Sequence, residues 1–159
     1  MPANGLIQGM RPLISYNYGA RHFDRVKKII KVSIISTAVI LCCGTIIFMG
    51  LPELVLSWFN ATEQLLEIGI IGLRVISPCF ILSTMGVVIS GVFESLGKGR
   101  QSLTISLLRQ FIITLPLAYI LLKVIGLNGI WLSFVIAEGI ASVIAVILIK
   151  KELHNFKVD

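Results

Sequence analysis

Polar and apolar positions in this chain do not alternate; they fall into blocks. Residues 32–51 and 75–93 hold no charged side chain, and residues 101–122 hold one, Arg109. Runs of about 20 apolar residues match the roughly 30 Å hydrocarbon layer of a bilayer at about 1.5 Å of rise per residue. The pattern predicts four spans, at about 29–51, 68–95, 101–123 and 128–149. All four must be helices, because backbone groups exposed to lipid have to hydrogen-bond within their own segment. The breaks between them hold turn formers: Pro52, Asn60, Gly97-Lys98-Gly99 and Gly126-Leu127-Asn128-Gly129. Short connections make successive helices antiparallel neighbours. The expected fold class is an all-α integral membrane protein, an antiparallel transmembrane helical bundle of a partial helix plus four full spans. Residues 2–18 read as the end of that partial helix, 19–28 as a basic loop, and 150–159 as a polar tail.

Composition sharpens this reading. Of 159 residues 56% are hydrophobic and 14% charged, with a mean hydropathy of +0.94, whereas soluble domains carry about 25% charged residues. Membrane lipid is therefore the first expected partner. Residues 1–20 lack the basic start, compact apolar core and small-residue cleavage site of a leader, so none is expected there. Cys42, Cys43 and Cys79 fall inside spans and read as small packing residues rather than as a disulfide or a metal site.

The net charge of +6 does not signal a nucleic acid partner, because its distribution follows the spans. Arg21, Arg25, Lys27, Lys28, Lys31, Lys98, Arg100, Lys150, Lys151 and Lys157 lie on one side of the bundle, ten of the fourteen basic residues. The opposite loops hold Glu53, Glu63, Glu67 and Lys123. By the positive-inside rule the basic side is cytoplasmic; the expected location is the inner (plasma) membrane, multi-pass, with a cytoplasmic C-terminus. Residues 24–31 permit two readings, an amphipathic segment lying on the anionic leaflet or the wet first turns of the spanning helix. Asn60-Ala61-Thr62 matches a glycosylation acceptor, a match read as chance.

Charges inside a bilayer are costly and are functional hypotheses by default. Arg74, Arg109 and Glu138 are the three well inside. Counted from Arg100 and Lys150, Arg109 and Glu138 differ in depth by only about 5 Å at 1.5 Å per residue. They are candidates for an interhelical ion pair, for a direct ion or substrate ligand, or for separate polar contacts. Arg74 is nearer the outer interface, where its side chain can instead reach toward Glu67 or lipid headgroups. Pro12, Pro78 and Pro116 each fall within a helix and are expected to kink it, a device transporters use for sites and hinges. Ser133, Ala137, Ala141 and Ala145 recur at every fourth position, a narrow stripe suited to close helix packing, and Gly86 and Ser90 repeat the theme on the second span. His22 and His154 have no metal-ligand spacing, no carboxylate pair is set for acid–base work, and no phosphate-binding loop is present, so an enzyme is not expected and no metal or cofactor is implied.

Several motifs carry a family resemblance. The run GLIQGMRPLISYNYGARHFDRVKK, then Leu73-Arg74-Val75 with Pro78, Gly97-Lys98-Gly99, Leu108-Arg109-Gln110 with Pro116-Leu117, and Gly129-Ile130-Trp131 followed by Ala137-Glu138 occur in an order that resembles multidrug and toxic compound extrusion (MATE) transporters, from the end of the eighth helix through the twelfth. The resemblance implies part of the C-terminal lobe of a secondary antiporter that exports organic, often cationic, compounds in exchange for H⁺ or Na⁺. It further implies Gln8 and Tyr16 on a cavity-facing helix and a cavity region from Arg74 to Ser83. The family's acidic residues on the N-terminal lobe and seventh helix have no counterpart here, and Arg74 stands on the helix where sodium-coupled relatives carry an acid, which argues against sodium binding. The resemblance implies that an N-terminal lobe or another chain is needed as partner, and that these residues alone do not transport. The alternatives are a lipid-linked oligosaccharide flippase of the same superfamily and a non-transporting assembly or regulatory subunit.

Overall fold

The computed structural model describes residues 2–59 and 62–156. Asn60 and Ala61 of the acceptor-like sequence, and Lys157 of the basic tail, lie outside the described residues. The described chain is helical throughout: α1 (Pro2–Gly19), α2 (Phe23–Gly50), α3 (Pro52–Ser57), α4 (Glu63–Ser95), α5 (Gly99–Leu107), α6 (Thr114–Ile125) and α7 (Leu127–Asn155), with a π turn at Leu108–Ile112 joining α5 to α6. Counting α5, the π turn and α6 as one span, four helices are long and apolar enough to cross a membrane. This is a multi-pass membrane protein.

The helices run further than the apolar blocks. The basic loop expected at 19–28 shrinks to Ala20–His22, and residues 23–28 are the first turns of α2. The tail expected from residue 150 is helical as far as Asn155. Lys, Arg and Glu are good helix formers, so a spanning helix continues past the hydrocarbon edge into water, and hydropathy marks the lipid boundary rather than the helix end. The tight α1–α2 turn places Arg21 in a left-handed conformation (φ 58°). In the loop between the first two spans the sequence reading placed no helix; the structure has α3, opened by Pro52 at a first-turn position that wastes no hydrogen bond.

α4 is the axis of the bundle, with α1, α2, α3, α5 and α7 packed on it. The densest core lies at its basic end, where Ile14, Val26, Val88, Val92, Phe93, Ile105 and Ala145 from five helices meet with almost no exposed surface. Small residues allow this approach. Gly91 faces Ile7, with 2.6 Å from a would-be Cβ to that side chain, and a Cβ on Gly129 would collide with the carbonyl of Leu121, so α6 and α7 touch backbone to backbone there. Ser133, Ala137, Ala141 and Ala145 are all buried on α7. The outward faces carry exposed Val32, Ile35, Val39, Ile46, Ile120, Val143 and Ile147, as a lipid-facing surface requires. Cys42 and Cys43 belong to that outward face and Cys79 to the interior.

Candidate functional site

The site begins with an irregularity in the third span. Ile113 donates its N–H to the carbonyl of Leu108 at 3.1 Å, five residues back instead of four. Pro116 has no N–H to offer the carbonyl of Ile112, so the regular ladder fails at the same place. Thr114 Oγ1 donates to the carbonyl of Arg109 within the widened turn. Such π turns insert one residue into a helix and re-aim the side chains on it, and they are frequent at functional sites.

Arg109 lies in this turn and faces α7. Its Nη1 is 3.6 Å from Glu138 Oε1, and the two side chains are 19% and 18% exposed. α4 closes a third side at Gly86, where an added Cβ would be 3.9 Å from Arg109 Cδ and 4.0 Å from Glu138 Oε2. One turn from Glu138, Ser142 Oγ donates to the carbonyl of Leu82 at 2.5 Å and binds α7 to α4. Glu138 Oε2 is buried with no hydrogen-bond partner among the described residues. α6 packs chiefly on α7, and a cleft of about 420 Å³ opens between α4, the π turn and α7. Phe80, Phe111 and Phe134 form apolar walls around Ser83, Gln110 and the Arg109–Glu138 pair. An apolar aromatic cleft with a few converging polar groups has the make-up of a small-molecule site.

The residues singled out from sequence do not all meet here. Ser83 lines the cleft with Arg109 and Glu138. Arg74 is on α4 nine residues away, half a turn out of phase with Ser83 at 3.6 residues per turn; it is exposed and has no carboxylate within 4 Å among the described residues. Gln8 and Tyr16 sit on the exposed side of α1, a helix that packs on α2 and α4 rather than α6. Pro12 and Pro78 lie within α1 and α4, which stay helical through them, while Pro116 is the third residue of α6, just past the π turn. Sequence reading passed over Phe134, whose four-residue spacing from Glu138 puts both on one helix face. It also passed over Phe80, three residues before Ser83. The π turn left one trace in the sequence, Pro116.

A second polar cluster ties the basic end together. Arg11 of α1 pairs with Glu94 of α4, Glu94 accepts from Ser102 Oγ of α5 at 2.9 Å, and Ser102 is 2.7 Å from Ser90 Oγ of α4. Lys98 Nζ contacts Glu152 Oε1 of α7 at 2.5 Å. Tyr18, Phe23 and Phe156 stack beside them with ring centroids 5.0–6.0 Å apart. These contacts join α1, α2, α4, α5 and α7 at the basic end of the bundle. Among the described residues no three His, Cys, Asp or Glu side chains gather as a metal site would require.

Residues 1–120 match the model of the MatE family. The chain belongs to the MatE family. This MatE chain is 30% identical over 156 residues to the multidrug export protein MepA of Staphylococcus haemolyticus, covering 98% of this chain and 34% of that one. The MepA protein of Staphylococcus aureus strain MW2 is 28% identical over 155 residues. The chain thus spans about a third of the length of the curated relatives it matches. Among solved structures, the MATE multidrug transporter DinF-BH superposes with a TM-score of 0.89 at 30% identity, over 100% of this chain and 36% of that one. An outward-facing MATE-family multidrug resistance transporter of the MOP superfamily reaches a TM-score of 0.93 at 20% identity, over 99% of this chain and 36% of that one, a likeness of fold.

Proposed function

We propose that this chain forms part of a secondary active multidrug efflux antiporter, exporting organic, often cationic, compounds in exchange for H⁺ or Na⁺. The observation that carries the reading is that almost the whole of this chain matches about a third of multidrug export proteins in both sequence and fold. The basic ends of the helices face the cytoplasm of a cell bounded by its plasma (inner) membrane, and the C-terminus lies on that side; the excess of Lys and Arg there supports this orientation. Alternating access needs two lobes rocking about a shared site. Four spanning helices and the partial helix α1 supply at most one side of such a cavity, so the activity requires further helices, carried on the same polypeptide or on another. The part these residues play is transport, not catalysis.

Within that frame the Arg109–Glu138 pair fastens the π turn to α7 beside the cleft, and Phe80, Phe111 and Phe134 offer surfaces for a flat apolar compound. The test is a chimera in which residues 1–159 replace the matching third of the S. haemolyticus relative. In proteoliposomes with an imposed H⁺ or Na⁺ gradient the chimera should expel ethidium, and the 159-residue chain alone should not. Expulsion by the chain alone, or a folded but inactive chimera, overturns the reading.

A further inference from the structure

A groove of about 580 Å³ runs between α1 and α2, separate from the Arg109–Glu138 cleft. On the α1 side it extends from Leu6 past Gly9 to Leu13 and Asn17, and on the α2 side from Ser36 back to Lys28 and Arg25. The two helices are antiparallel across the turn at Ala20–His22, so Arg25 and Lys28 lie at the mouth of the groove beside Asn17 and Leu13, and Leu6 and Ser36 lie at its deep end. Eleven residues separate Leu6 from Asn17, about 16 Å along a helix. One leaflet of the hydrocarbon layer is about 15 Å. The groove is therefore one acyl chain long, apolar along its length, and cationic only at the interfacial end.

The two cations are available. Lys27 is turned toward Asp24 at 3.6 Å, whereas Arg25 and Lys28 are exposed and have no carboxylate within 4 Å among the described residues. The space over Gly9 is open, since a Cβ placed there would meet nothing within 4 Å, so a large side chain at this position would project into the groove. Two cations with no carboxylate partner among the described residues, at the polar end of an apolar slot of leaflet depth, have the chemistry of an anionic phospholipid site between membrane helices.

We propose that the α1–α2 groove binds one anionic phospholipid, its phosphate held by Arg25 and Lys28 and one acyl chain laid along Gly9, Leu13 and Val32. The occupant is a lipid of the leaflet at the basic end of the bundle, whichever side of the membrane that end faces. A neutral lipid offers the same chain without the net charge, and a free phosphate offers charge without the chain.

The test uses the 159-residue chain purified in mild detergent, read by native mass spectrometry and by thermal unfolding with added lipid. Phosphatidylglycerol should be retained at one molecule per chain and should raise the Tm. Phosphatidylcholine and inorganic phosphate should do neither. R25Q/K28Q, which leaves Arg21, Lys27 and Lys31 to fix topology, should weaken phosphatidylglycerol binding about thirtyfold, from two interfacial cations. Gly9→Leu fills the slot with a better helix former, so it should abolish lipid retention while leaving the Tm in lipid-free detergent unchanged or higher. Equal retention of phosphatidylcholine, an equal Tm rise with inorganic phosphate, or undiminished lipid binding by Gly9→Leu would each overturn the proposal. So would a groove found covered by another protein helix in the assembled transporter.

Discussion

Arg109 and Glu138 are the residues on which the candidate site depends. Both side chains are less than a fifth exposed and their nearest charged atoms are 3.6 Å apart, so each is the other's main partner for its charge. Removing one partner of a buried pair leaves an uncompensated charge, at a cost of about 3 kcal/mol or more. Arg109→Ala and Glu138→Ala should each destabilise the chain by about that amount, measured by denaturant titration in detergent micelles, because each strands the other charge. The reciprocal exchange R109E/E138R should recover a large part of the loss, as a double-mutant cycle detects for residues in contact. Single variants as stable as the parent would mean that the pair carries no load. Ser83 adds a hydroxyl to the same cleft, and Glu138 Oε2 adds an acceptor that no group among the described residues satisfies.

At the scale of the element, the third span is set apart by its π turn. Pro116 prevents an ordinary ladder from closing on Ile112, and Thr114 Oγ1 takes up the carbonyl of Arg109; together they determine which way Arg109 points. Thr114→Val keeps the volume and removes the hydroxyl. We expect a loss of about 1 kcal/mol, the usual size for a buried hydrogen bond, in the same titration. The loss should shrink in a Glu138→Ala background, where the direction of Arg109 no longer matters. Equal losses in both backgrounds would separate the hydroxyl from the pair. The π turn was not legible beforehand, because a run of apolar residues has the same hydropathy whether a turn holds four residues or five. The stripe Ser133, Ala137, Ala141 and Ala145 was legible, since small residues every fourth position mark close packing in lipid, and all four are buried.

For the whole molecule, charge placement and packing share a polarity. The basic end holds the tight core, the Arg11–Glu94 and Lys98–Glu152 pairs and the aromatic cluster of Tyr18, Phe23 and Phe156; the other end holds α3 and the acidic residues Glu53, Glu63 and Glu67. The proposed orientation is checked with single cysteines introduced at Arg100 and His154, or at Glu63 and Lys123, after Cys42, Cys43 and Cys79 are replaced by serine. A membrane-impermeant maleimide should label the first two only in inside-out vesicles and the second two only in right-side-out vesicles. The reverse pattern would invert the topology.

The sequence by itself determined the number of spans, the segregation of charge and the family, because the cost of placing charge in hydrocarbon is met locally and leaves its mark residue by residue. It also brought Arg109 and Glu138 to a common depth, since depth along a helix follows from counting. The tertiary structure alone decided which helices face one another around α4, that a cleft opens between α4, the π turn and α7, and that Arg74, Gln8 and Tyr16 stay away from it. In lipid an apolar residue is at home on either side of a helix, so hydropathy does not distinguish a buried face from an exposed one. That choice is made by small-residue contact, a widened turn and pairs such as Lys98–Glu152, fifty-four positions apart in the chain, which only the folded molecule brings together.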